Sequence, residues 1–148
     1  MDYLKEAEEE LRAYKDFSNS LISLRDEIEI IELEMKSVKT MNYDSIPNGN
    51  AVEGDERLVN LIYKKQIKED AYKLTKAKIK HIQKIFKWLD SSGDNKNIDV
   101  ELLKQLYVEQ RQITDICNEL EISERKFRRR KYIALRRFAR QLFGIKTG

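Results

Sequence analysis

Apolar residues recur seven apart along the first forty positions. Tyr14, Leu21, Ile28 and Met35 form one set, and Phe17, Leu24, Ile31 and Val38 form a second, three residues later. An a/d pattern sustained over four heptads predicts one helix from Tyr3 to about Thr40, with a coiled-coil-like seam. Ile22, Ile30 and Leu33 widen the stripe, so more than one neighbour is expected. The stretch TMNYDSIPNGNAVEGDE then brings the only proline, Pro47, with Gly49 and Gly54. It reads as a loop of about fourteen residues, with Asp55 as the N-cap of a second helix running to about Leu89. In that helix Tyr72, Thr75, Ile79, Ile82, Phe86 and Leu89 alternate spacings of three and four. Two long helices joined by a long loop predict an antiparallel hairpin over residues 1–90. Each helix of such a pair buries one stripe, so the flanks are expected to recruit a second copy into a homodimer.

A polar, turn-rich segment, DSSGDNKN, follows at Asp90–Asn97 and reads as a linker over residues 91–98. The remainder, 99–148, is expected to form a small separate domain. Asp99 is placed to cap a helix whose Val100, Leu103, Leu106 and Tyr107 make one apolar face. Ile113, Ile116, Cys117 and Leu120 predict a short amphipathic helix. Glu121 and Ile122 form a joint, Ser123 is an N-cap, and a last helix carries Phe127, Ala134, Leu135 and Phe138. A small residue at the contact (Cys117), a plug in the turn (Ile122) and an aromatic at the corner (Phe127) are what two steeply crossing helices need, as in a helix-turn-helix. The expected fold class is all-α: a long N-terminal antiparallel helical hairpin, coiled-coil-like, plus a small C-terminal helix-turn-helix domain.

Composition agrees, with only five Gly and one Pro and 37% charged residues. The longest apolar runs are a few residues, so no membrane span is expected. The acidic opening MDYLKEAEEE does not resemble a leader, and the single cysteine points to a reducing cytoplasm. A net charge of +3 conceals segregation: residues 1–40 sum to −5, 41–90 to +3, 91–124 to −5 and 125–148 to +10. The last segment holds ten Lys/Arg and no acid. Such a cationic helix creates a strong local field for an anionic partner, and double-stranded DNA is the partner that a helix-turn-helix meets.

The residues ITDICNELEISERKFRRRKYIALRRFA resemble the C-terminal helix-turn-helix of sigma factors, region 4. The matching positions are Ile116, Cys117, Leu120, Ile122, Ser123, Phe127 and the pair Ala134–Leu135. Two positions depart from that pattern: Glu121, where Gly is usual in the turn, and Arg130, where an apolar residue is usual. The whole chain also resembles small phage regulators of the ArpU and RinA type, which have a long acidic helix, a YD loop (here Tyr43–Asp44), a second charged helix and then this motif. The resemblance implies a transcriptional activator of late phage or prophage genes, acting on the nucleoid in the cytoplasm of a bacterial host.

With the last helix in the major groove, Glu124, Arg125, Arg128, Arg129 and Tyr132 face outward as base readers. Arginine donates bidentate bonds to guanine, and a carboxylate accepts from cytosine N4. Gln112, Thr114, Lys126, Lys131, Arg136, Arg137 and Arg140 are the expected phosphate contacts. About five neutralised phosphates give a slope of log affinity against log salt of about −4 to −5. The hairpin is expected to pair two copies across neighbouring half-sites, to present its acidic face to host RNA polymerase, or to do both. The alternative function class is a DNA-packaging adaptor resembling a phage small terminase subunit. No nucleotide-binding glycine loop, catalytic constellation or metal-ligand set is legible, so an enzyme, a cofactor and a metal are not expected. His81 reads as a surface residue, Cys117 as a small core residue and Trp88 as a packing anchor.

Overall fold

In a computed structural model, the structure describes residues 2–44, 50–91 and 96–144. All elements among them are helical: α1 (Tyr3–Asp44), α2 (Asn50–Ser91), α3 (Lys96–Leu103) continuing into a π-helical turn (Lys104–Val108), α4 (Ile113–Leu120) and α5 (Glu124–Phe143). None is long and apolar enough to cross a membrane. The expected loop is shorter than its composition suggests. Helix α1 runs on through Tyr43 and Asp44, and α2 begins at Asn50, so Asp55 lies inside α2 and caps nothing. Pro47 and Gly49, expected in that loop, lie outside the described residues.

The chain divides into two compact units, Met1–Ser18 with Lys78–Gly148, and Asn19–Ala77. In the first, Ala7 and Leu11 of α1 and Ile82, Ile85, Phe86 and Leu89 of α2 pack into one core with Leu102, Leu103, Tyr107, Ile116, Phe127, Leu135 and Phe138. The sequence division near residue 90 is therefore not where packing divides. The ends of the long helices are built into the C-terminal unit because its short helices are too small to enclose a core alone. Phe86 is central to it, with Tyr14 edge-on at 6.5 Å and Phe138 at 5.8 Å. Trp88 is not the expected anchor: it is 46% exposed, while its neighbour Leu89 is buried.

In the second unit, α1 and α2 run antiparallel, as Glu27–Lys68 (2.8 Å), Glu32–Lys65 (3.2 Å) and Arg25–Tyr72 (3.1 Å) require. The Arg25 contact also lowers the Tyr72 phenol from its ordinary value and raises the arginine. Among its described residues the buried core is Ile31, Val38 and Leu61, with Met35 and Leu58 beside them.

The joint between α4 and α5 shows how the chain makes a tight turn without glycine. Glu121 adopts the left-handed conformation at φ 56°, ψ 45°. The next amide, Ile122 N–H, then donates back to the Cys117 carbonyl at 3.0 Å, the Schellman-type closure of a helix end. The left-handed region costs a residue with a Cβ about 1 kcal/mol that glycine avoids. Glu121→Gly is accordingly expected to raise stability by about 1 kcal/mol, seen as a Tm increase of about 2–4 °C in thermal unfolding. Ser123 then caps α5 as expected, its hydroxyl accepting from Lys126 N–H at 3.1 Å.

Candidate functional site

Helix α5 divides its residues between two environments. Phe127, Ala134, Leu135, Phe138 and Ala139 are buried. Glu124, Arg125, Lys126, Arg128, Arg129 and Tyr132 are all exposed, the Arg128 side chain by 80%. The first two turns of α5 thus offer a polar, cationic surface whose only acid, Glu124, sits 3.9 Å from Arg128 one turn on. Arg125, Lys126 and Arg129 share a shallow concavity with Ser123. The local cause is the helical period: the apolar spacing pins one side of α5 to the core and leaves the arginines between on the other.

The expected phosphate contacts do not stay together. Arg140, Gln112 and Thr114 are exposed. Gln112 is the N-cap of α4, but its side chain makes no capping bond. Lys131 is half-buried beside Arg12, Asp16 and Tyr107, in a different concavity. Arg136 is also half-buried. Arg137 is engaged in the fold: Nη1 donates to Asp99 Oδ2 at 2.9 Å and Nη2 to the Leu89 carbonyl at 3.2 Å. Its guanidinium is spent inside the protein, which removes it from the expected phosphate set.

Asp99 is the residue that sequence reasoning misplaced. It is no N-cap but lies in the first turn of α3, its side chain only 1% exposed. Arg130 grips it from α5, with Nε to Oδ1 at 3.1 Å and Nη2 to Oδ1 and Oδ2 at 2.8 and 2.9 Å. Arg137, two turns further along α5, completes the set. One buried carboxylate therefore accepts four hydrogen bonds from two arginines, the charge-assisted fork geometry that makes such burial tolerable. Arg130 therefore faces the interior, with its counter-ion supplied from α3. The signal was present in the sequence as two arginines seven apart on the Phe127–Ala134 side of α5, which need a buried acid.

Two other polar groups in this unit bear on stability rather than on a ligand. Cys117 is buried; burial, and secondarily the charge of Glu124, push its thiol up from the ordinary value, which suits a core residue. The Tyr107 hydroxyl is buried with no hydrogen-bond partner. Burial, and then the negative charge of Glu8, push its pKa well above the usual phenol range. Removing an unsatisfied buried hydroxyl is expected to be neutral or to stabilise by about 1 kcal/mol, so Tyr107→Phe should match or exceed the wild type in denaturant unfolding. Because the folded state holds this proton more tightly than the unfolded one, wild-type stability should fall as pH rises past about 10, the unfolded phenol value. The variant should lose less over that window.

His81 is exposed, and no group of His, Cys, Asp and Glu able to hold a metal occurs among the described residues. No family model, no curated protein and no solved structure matches the chain.

Proposed function

We infer that this protein is a sequence-specific double-stranded DNA-binding transcriptional regulator, reading the major groove with α5 in a helix-turn-helix formed by α4, the Glu121–Ser123 turn and α5. The observation that carries this reading is the first half of α5, where Arg125, Arg128 and Arg129 stand exposed with Glu124 and Tyr132 while Phe127 is locked in the core. A helix held by one side and cationic on the other suits insertion between phosphate walls. In this mode Arg125, Arg128 and Arg129 donate to guanine O6 and N7, and Glu124 accepts from cytosine N4. Lys126, Lys131, Arg136 and Arg140 hold phosphates and set the register without specifying sequence. Asp99 contributes indirectly: by holding Arg130 and Arg137 it fixes how α5 is seated.

With Arg137 withdrawn, about four phosphates are neutralised per copy, which lowers the expected salt slope to about −3 to −4. The likeness to ArpU- and RinA-type regulators rests on the residues quoted above and makes activation of late phage or prophage genes the reading for its biological role. Selection of bound duplexes from a random pool tests the proposal: enrichment of one sequence, guanine-rich on the strand facing α5, is the expected result. A pool recovered without sequence preference would remove the regulator reading and favour a packaging adaptor.

A further inference from the structure

Exposed large apolar side chains outnumber buried ones among the described residues of the Asn19–Ala77 unit. Among the described residues Ile31, Val38 and Leu61 are buried in it, whereas Ile22, Ile30 and Leu33 of α1 and Val59, Ile62, Tyr63, Ile67 and Leu74 of α2 are at least half exposed. The exposed residues are also not scattered. At about 100° per residue, the five on α2 fall within roughly 140° of arc, on the side away from Leu58, Leu61, Lys65 and Lys68, which turn toward α1.

We propose that this outer face of α2 is where a second copy of the chain docks, α2 parallel against α2 about a two-fold axis along the pair. Charge decides for self-association and for α2 over α1. Between Ile22 and Leu33 the outer arc of α1 carries two acids, Asp26 and Glu29, and pairing that face with itself opposes like charges. Between Val59 and Leu74 the α2 arc carries one acid and one cation, Asp70 and Lys73, which pair across a two-fold. Asp70 is already bonded to Gln66 at 2.9 Å, so it enters the contact with a partner. Size agrees: the five residues offer about 500 Å² per copy, on the order of 1,000 Å² for a symmetric pair, where specific interfaces begin. The proposal stands independently of DNA binding.

Sedimentation equilibrium on the full chain over a concentration series tests it. The wild type should be a dimer, and Ile67→Glu with Leu74→Glu should raise the dimer dissociation constant at least about tenfold. The matched pair on α1, Ile30→Glu with Leu33→Glu, should leave it unchanged. All four side chains are solvent-exposed, so each variant should keep wild-type helicity by circular dichroism. Disulfide capture gives a second readout that needs no disruptive change: Tyr63→Cys should cross-link between copies under mild oxidation and Ile30→Cys should not. A wild type that stays monomeric to about 100 µM, or a dimer broken by the α1 pair and not the α2 pair, overturns the proposal. Either result would leave the α2 face to a different protein.

Discussion

Asp99→Ala should lower stability by about 3 kcal/mol or more, the range seen when one partner of a buried ion pair is removed. In a chain of this length that is a Tm loss of about 10 °C. The physical cause is not a lost attraction alone. Two guanidiniums, 14% and 24% exposed as side chains, would remain in a mostly buried site without the carboxylate that accepts four of their hydrogen bonds. Asp99→Asn keeps the shape but neither the charge nor the full acceptor capacity, so it should fall between wild type and Ala. Arg130→Met in the Asp99→Ala background should recover part of the loss, because it replaces a stranded charge with an apolar side chain of similar length. A double-mutant cycle over Asp99 and Arg130 should show coupling above about 1 kcal/mol. Thermal and denaturant unfolding of wild type, Asp99→Ala, Asp99→Asn, Arg130→Met and the double variant measures all of this. Additive losses would mean that Asp99 and Arg130 contribute to stability independently of each other.

The second large effect should be of the opposite kind. Replacing Arg125, Arg128 and Arg129 together by Ala is expected to leave the Tm within about 1–2 °C, because surface substitutions outside packed features change stability little. The same triple variant should lose at least about a hundredfold in affinity for a preferred duplex, since each base-reading arginine contributes roughly 1–3 kcal/mol. Unfolding curves and titration of labelled duplex on one preparation separate the two effects. Affinity retained by the triple variant would place the contact surface elsewhere than the first half of α5.

These two predictions also mark where the sequence was readable. What it carried well was local. The Ser123 cap needs only its own amide neighbour three residues on, and the apolar spacing of α5 follows from the helical period alone. What it carried poorly depended on distant partners or on backbone choices. Asp99 stands before an apolar run and so resembles a cap, but its partners are 31 and 38 residues away and outweigh the local option. Arg137 looked like one more cation in a basic run until Asp99 and the Leu89 carbonyl were seen to claim it. Glu121 and Gln110 both take positive φ without being glycine, which residue type alone does not announce. Gln110 follows the π-helical turn, where the Glu109 amide reaches back five residues to Lys104 at 2.9 Å. The loop was overdrawn because Asn and Gly are turn formers, yet flanking helix propagation carries α1 to Asp44 and starts α2 at Asn50.

The most direct test of the account is competition between a selected duplex and a scrambled one across a salt series, with wild type and Arg128→Ala side by side. The account predicts that the wild type prefers the selected duplex by at least about tenfold at moderate salt, with a slope of about −3 to −4 per copy. It also predicts that Arg128→Ala reduces that preference while leaving binding to the scrambled duplex nearly as strong. Equal affinity for both duplexes at every salt concentration would contradict it.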